Sequence, residues 1–286
     1  MRAIIFSVVL AWAGCAGSPS TSDAGRDGAR DVVDAFVLDA RVADAPSDTG
    51  TQDAARADAF VAPIGCAGRS YLFCEDFESA SGTDLPTGWV VGSGWMDGNP
   101  SVTSSVAHTG MRALRSATAM SGQHRAEHPL DALGDARGHH WGRVFYRVAA
   151  PAFVPTSGVV HNTMVGLLGS TECRVVDTVE STSGAHQFLF NIPDDSCCVG
   201  SSYDYHSYDG AWHCAEWYVD ASTQSFRFFS DGAEVTALAF SRADDHAHIE
   251  AFGTIALGWR NYQTATTPYE SYFDDLAIDD TRIGCD

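Results

Sequence analysis

The stretch Gly122-Gln123-His124-Arg125-Ala126-Glu127-His128-Pro129-Leu130 carries an amide, a guanidinium and a carboxylate at every second position. Side chains alternate along an extended strand, so Gln123, Arg125 and Glu127 share one face and His124, Ala126 and His128 the other. Such a row is poor core material and good material for the floor of a surface that binds a polar or anionic ligand. Arg125 presents a planar fork of donors that can grip a carboxylate bidentately. Glu127, two residues on, can hold that fork in place. The plain alternative is a surface ion pair on a sandwich strand, worth little.

Other stretches carry chemistry in the same alternating form. In Thr254 to Gln263, Ile255, Leu257 and Trp259 make an apolar face, while Gly258, Arg260 and Tyr262 make the opposite one. Gly258 is expected to leave room for a ligand. Tyr262 supplies a phenol of ordinary pKa about 10, which arginine neighbours would lower; a surface tyrosine beside a surface arginine is the bland reading. His161 and Thr163 share a face of an otherwise apolar strand, where a hydrogen-bonded core histidine is the commoner role. Arg143 and Arg147 interleave with Trp141 and Phe145, either as a sugar-binding surface or as snorkelling arginines on a solvated face. Glu216 sits among aromatic residues, but a retaining glycosidase needs a second carboxylate about 5 Å away and the pattern offers none, so Glu216 is read as structural. Near the two ends, Glu75-Asp76-Phe77-Glu78 and Tyr272-Phe273-Asp274-Asp275 bring carboxylates to strands expected to lie side by side. Glu78, Asp274 and Asp275 suit a hard oxygen-liganded cation, a structural calcium ion; mutually repelling surface carboxylates are the alternative.

The elements that must position these residues are strands. Alternating or apolar runs fall at 71–77, 88–92, 101–106, 111–118, 122–128, 141–149, 157–168, 173–180, 184–191, 211–220, 223–230, 252–262 and 270–278. Turn residues such as Asp97-Gly98-Asn99-Pro100, Tyr208-Asp209-Gly210 and Ser230-Asp231-Gly232 separate them. No segment sustains a helical period and no internal repeat is visible. The fold class expected is all-β, a two-sheet antiparallel β-sandwich of the jelly-roll, concanavalin A-like kind.

Composition sets the limits. The 286 residues carry a net charge of −20, and all 17 basic residues are arginine. Lysine is absent, which removes Schiff-base chemistry, a lysine base and a P-loop. The charge argues against nucleic acid and anionic membrane surfaces as partners. Residues 1–15 read as an export signal: Arg2, an apolar run from Ala3 to Trp12, then Ala13-Gly14-Cys15. Small residues before a cysteine are what a bacterial lipoprotein signal requires, with Cys15 as the lipidation site; a plain signal peptide is the alternative. The apolar run is too short for a permanent membrane span. Residues 16–63 recur in Asp among Ala, Ser, Thr and Gly, with few aromatics, and read as a disordered linker. Residues 64–286 form the domain, with 28 acidic and 12 basic residues for a net charge of −16. Its seven cysteines are expected to form disulfides in an exported chain. Cys66, Cys74 and Cys285 could lock the domain ends by a bridge among them, and Cys197 or Cys198 could reach Cys214 or Cys173. The chain is thus expected to be an exported monomer at the outer membrane or cell surface, or secreted, touching membrane only through its lipid anchor.

The opening Cys74-Glu75-Asp76-Phe77-Glu78, the strand Gly110-Met111-Arg112-Ala113-Leu114, the strand Trp212-His213-Cys214-Ala215-Glu216-Trp217 and the closing Phe273-Asp274-Asp275-Leu276-Ala277-Ile278 resemble concanavalin-like jelly-roll proteins of the polysaccharide-lyase-like group. That group includes glucuronan lyases and a cellulose-induced fungal secreted protein. Three shorter matches are similar to alginate lyases of the same fold. Arg125-Ala126-Glu127-His128 resembles their Arg-x-Glu-Leu strand. Val160-His161 falls at their Gln-Ile-His strand, with Val159 in place of the glutamine. Gly258-Trp259-Arg260-Asn261-Tyr262-Gln263 resembles their Lys-Ala-Gly-x-Tyr-x-Gln strand, without the lysine. The resemblance implies β-elimination on a uronic-acid polysaccharide. Arg125, helped by Gln123, would neutralise the C6 carboxylate and acidify the C5 proton. His161 or Tyr262 would take that proton, Tyr262 would protonate the departing oxygen, and Glu127 would orient Arg125. Arg143 and Arg260 would add substrate contacts. A non-catalytic, lectin-like glycan-binding module is the reading from a different class.

Overall fold

In His139–Val148 the residues His140, Val144, Tyr146 and Val148 are fully buried, while Trp141 and Arg147 on the other face are only partly so. Period-two burial of this kind repeats from strand to strand and builds two facing sheets. The computed structural model describes residues 65–67, 69–94, 97–118, 121–192, 197–241 and 248–285, with backbone alone at 197 and 198. The expected signal, lipidation site and linker lie outside the described residues.

In chain order the strands are β1 Phe73–Glu75, β2 Val90–Val91, β3 Ser101–Thr103, β4 Ala113–Thr118, β5 Gly122–Pro129, β6 His139–Val148, β7 Val159–Leu168 and β8 Glu172–Ser181. They continue with β9 His186–Ile192, β10 Cys197–Gly200, β11 His213–Asp220, β12 Ser225–Ser230, β13 Ala233–Glu234, β14 Phe240–Ser241, β15 Thr254–Asn261 and β16 Tyr269–Asp279. Among the described residues one sheet runs β13-β12-β11-β6-β16-β4-β3, with β1 on β16 and β14 on β12; the other runs β10-β9-β8-β7-β15-β5-β2. Every pairing is antiparallel. This is the two-sheet sandwich that alternation predicts, and the first strand lies beside the last, as expected. Two 3-10 segments, Asp131–Gly138 and Thr236–Leu238, are additions to the expected strands; both are too short to leave a helical period in the sequence.

The core between the sheets is aromatic. Trp217, Trp259, Tyr146, Phe188, Phe190, Phe226, Phe228 and Phe273 are all essentially inaccessible. Burying an aromatic or aliphatic side chain of this size contributes about 1.5–3 kcal/mol. Gly142 on β6 makes room for one of them, since a Cβ there would come within 2.1 Å of the Trp217 ring.

Disulfides join Cys66 to Cys74 and Cys214 to Cys285. The first falls within the expected trio but staples the segment before β1 to that strand. Cys285 instead closes the C-terminus onto β11, so Cys214 is taken by Cys285 and not by Cys197 or Cys198. Glu216, wholly buried, reinforces this closure by accepting hydrogen bonds from Arg282 Nε at 3.0 Å, Ile283 N at 3.1 Å and Gly284 N at 2.7 Å. Its structural reading agrees with that geometry. Among the described residues no helix is long and apolar enough to cross a membrane.

Candidate functional site

The outward face of the β8-β7-β15-β5 layer gathers charge. Arg125 on β5 pairs with Gly258 on β15 in register, and Gln123 with Arg260, so all share one face. Next in the sheet stands β7 with His161 and Thr163, then β8 with Glu172, Arg174 and Asp177. Strict alternation would place Arg174 and Asp177, three apart, on opposite faces. The ladder shifts between them on the β9 side, and between Thr163, Val165 and Gly166 on the β7 side. Another shift falls between Leu257 and Arg260 on β15. A bulge adds a residue and reverses the phase of the residues after it, so Glu172, Arg174 and Asp177 all reach the same surface.

Glu172 stands at the centre. It pairs through Oε1 with Arg125 Nη1, and through Oε2 with Arg260 Nη1 at 2.9 Å and Arg174 Nε at 3.5 Å. Burial alone would raise its carboxyl, but the charges of Arg125, Arg174 and Arg260 outweigh burial and hold it below the usual glutamate value. Gly166 on β7 makes space for the pair, because a Cβ there would lie 2.6 Å from Glu172 Oε1 and 3.2 Å from Arg125 Nη1. The guanidiniums of Arg174 and Arg260 both pack on the Tyr262 ring, at 4.3 and 4.5 Å from its centroid.

Beside this cradle lies a second network. The His161 ring stacks on Tyr262 with centroids 4.4 Å apart. His161 Nε2 meets Asp177 Oδ2 at 2.6 Å, and Thr163 Oγ1 donates to Asp177 Oδ1 at 2.6 Å. With the Thr163 proton so committed, the Tyr262 hydroxyl donates to Thr163 Oγ1, 3.0 Å away. Asp177 is completely buried, so its carboxylate depends on these partners. Since a carboxylate only accepts, Nε2 carries the proton in neutral His161, leaving the Nδ1 lone pair as the base.

Several expectations change here. The expected acidification of Tyr262 by its arginines does not hold; its hydroxyl is instead driven upward, first by burial and then by the Glu172 charge, against which Arg174 and Arg260 work only in part. It is therefore a protonated phenol. Glu127 does not orient Arg125: its Oε1 accepts the Ser93 N–H at 3.2 Å, and Gln123 Nε2 donates to the Ser93 carbonyl. Both anchor the 92–94 segment on the rim, and Glu172 takes the orienting part given to Glu127. Gly258 has φ +137°, and a Cβ there would come within 2.3 Å of the His124 carbonyl, so it serves close approach of β15 to β5 and makes no room for a ligand. Arg143 belongs to the other sheet, 4 % exposed, with Nη1 donating to the Gly284 carbonyl at 3.4 Å and Nη2 to that of Asp275 at 3.5 Å; it stands apart from the cradle. Arg125, His161, Arg260 and Tyr262 are the expected residues that the fold brings together. Glu172, Arg174, Asp177 and Gly166 join them without having been singled out by sequence. For Glu172, Arg174 and Asp177 the signal is that they are three of four charged residues in the otherwise valine-rich β8.

The expected cation ligands also act as anchors. Glu78 Oε1 accepts the N–H groups of Met111 and Arg112 at 2.6 and 2.7 Å. Asp274 Oδ2 accepts those of His108 and Thr109 at 2.8 and 3.3 Å. Asp275 meets His108 Nδ1 at 2.6 Å and the Thr109 hydroxyl at 2.7 Å. Burial, followed by the adjacent Asp275 charge, raises Asp274 to about 8. Among the described residues no three His, Cys, Asp or Glu side chains are arranged to hold a metal ion.

No protein-family model matches the chain, and no curated protein matches its sequence. Among solved structures, the cellulose induced protein Cip1 is similar with a TM-score of 0.54 and 16% identity, over 75% of this chain and 100% of that one. The binding domain of botulinum neurotoxin DC in complex with SialylT is similar with a TM-score of 0.50 and 10% identity, over 75% of this chain and 48% of that one. Identities this low show the fold alone, a jelly-roll β-sandwich.

Proposed function

We propose that the chain is an exported, surface-tethered protein that binds a uronic-acid-containing polysaccharide and cleaves it by β-elimination. The observation that carries this reading is the meeting of an arginine cradle, an imidazole held by a buried carboxylate and a protonated phenol on one sheet face. Arg125 and Arg260 would neutralise the C6 carboxylate of the bound sugar and so acidify its C5 proton. His161 Nδ1 takes that proton, with Asp177 stabilising the imidazolium. The C5 electron pair becomes the C4–C5 double bond, the C4–oxygen bond breaks, and the Tyr262 hydroxyl protonates the departing oxygen. The raised Tyr262 value favours the acid part over the base part, which narrows the two candidates for base to His161. No activated nucleophile is required.

The test is a scan for ultraviolet absorbance of unsaturated uronate ends on glucuronan, alginate and pectate. Absorbance with wild type and none with His161→Ala supports the lyase; silence on all three, with binding retained on a glycan array, gives the module reading. One observation favours that second reading. Arg125 and Arg174 are each only 3% exposed and already share Glu172, in a domain of net charge −16. The two solved structures share only the fold; the SialylT named with the second is a further ligand for the array.

Two outlying parts belong to the same proposal. Lipidation at Cys15 is tested by labelling with a fatty-acid analogue, which Cys15→Ala should abolish. The second part is a structural calcium ion at Glu78, Asp274 and Asp275; these carboxylates already accept hydrogen bonds from residues 108–112, so an ion would have to displace those donors. A fall in melting temperature with chelator supports it, and an unchanged melting temperature removes it.

A further inference from the structure

Arg125 cannot meet a ligand carboxylate as it stands. Its side chain is 4% exposed and its Nη1 is committed to Glu172, whose own side chain is 13% exposed. Glu172 is the more exposed member of the pair. A glutamate side chain and a uronate C6 group present the same chemical function, a carboxylate. Three guanidiniums converge on this one, leaving a surplus of positive charge once it is counted. Arg125 Nε and Arg260 Nε are buried without a hydrogen-bond partner, so the cradle holds donor capacity that Glu172 does not use. Glu172 is also the first residue of β8, just past the Gly169-Ser170-Thr171 turn, and Gly166 opposite presents no side chain that would confine it.

We propose that Glu172 is a built-in competitor: it occupies the arginine cradle in the ligand-free chain, and a uronate carboxylate takes its place on Arg125 and Arg260. This rests on the uronate reading and deepens it. The cradle then discriminates on charge, because a neutral sugar has nothing to offer that displaces a carboxylate from guanidinium partners. Glu172 is the specificity-determining residue, and it sets a threshold that weakly anionic glycans do not pass.

The experiment measures binding by calorimetry of galacturonate, mannuronate and glucuronate tetramers, with cellotetraose as the neutral control. The proteins are the wild-type chain and the near-isosteric Glu172→Gln chain, both made unable to turn over by His161→Ala. The expected result is uronate binding about tenfold tighter in Glu172→Gln, with steeper salt dependence and no gain for cellotetraose. Equal or weaker uronate binding by Glu172→Gln, at unchanged melting temperature, overturns the proposal and makes Glu172 a fixed organiser of the arginines, while leaving the uronate reading intact. Absence of uronate binding by either protein overturns the uronate reading itself. Should Glu172→Gln not fold, Glu172→Asp carries the same comparison, since its shorter reach loosens the hold on Arg125 and should also tighten uronate binding.

Discussion

The imidazole of His161 lies nearly parallel to the phenol of Tyr262, at an interplanar angle of 26°. The backbones are joined as well, Tyr262 N donating to the His161 carbonyl at 3.0 Å. Both side chains end on the Asp177 carboxylate, His161 directly and Tyr262 through Thr163. An imidazole and a phenol that share one buried anion are fixed relative to each other before any ligand arrives, which is the preorganisation that the proposed proton transfers would need.

Replacing Tyr262 by Phe deletes one hydroxyl and keeps the ring that Arg174, Arg260 and His161 pack on. Removal of the acid should lower turnover by about 100-fold or more. Loss of one hydrogen bond should cost only about 1 kcal/mol. Ultraviolet assay and thermal melting together check this. A collapse of stability would make Tyr262 a packing residue.

Asp177→Asn removes the charge that holds the His161 imidazolium. The pH–rate profile should change shape, with turnover falling more than affinity. A profile of unchanged shape would mean that Asp177 only fills space. Measured rates across about pH 5 to 9, at a substrate concentration range wide enough to separate kcat from KM, decide the matter.

Glu180 makes stability depend on pH. Buried, with its Oε2 accepting the Tyr269 hydroxyl at 2.7 Å, it is raised to about 7 from an ordinary value of 4.5, chiefly by burial. The folded chain therefore binds a proton there that the unfolded chain releases. This contribution is fully present below 4.5 and is lost as pH rises through about 7. Glu172 has the opposite sign: held low by its arginines, it stabilises above the ordinary value of 4.5 and loses that contribution as pH falls through its depressed one. Urea titrations should show stability declining between about pH 5 and 7.5, with Asp274, raised to about 8, contributing in the same direction, and Glu180→Gln should reduce that slope. An unchanged slope in the variant would place its origin elsewhere.

The two disulfides should differ in weight. Cys214 and Cys285 are 71 residues apart and Cys66 and Cys74 are 8 apart. Chain entropy assigns about 4 kcal/mol to the longer loop and about 2.5 to the shorter. Cys285→Ser should therefore lower the melting temperature more than Cys66→Ser, and the reverse order in calorimetry would show that native contacts at the Cys66 turn dominate.

Much of the architecture is legible in the chain. The sandwich, the strand positions and the polar row on β5 follow from period-two alternation, a local property that each strand carries by itself. The faces of Arg125, His161, Arg260 and Tyr262 can be read in the same way. Local pattern does not supply partnership. Arg125 meets Glu172 across two intervening strands, and alternation alone separates Asp177 from Arg174, because bulges at β7, β8 and β15 reset the phase. Arg143 shares the charge and the aromatic neighbours of a site residue, yet strand order sends it to the other sheet. The acidity of Tyr262 escapes a sequence reading because arginine neighbours are visible there, whereas burial and the Glu172 and Asp177 charges that outweigh them exist only after folding. Residue types and strand faces are thus determined by the chain alone. Which charges meet, and with what acidity, is decided by register and packing, since pairing energies depend on contacts between segments distant in sequence.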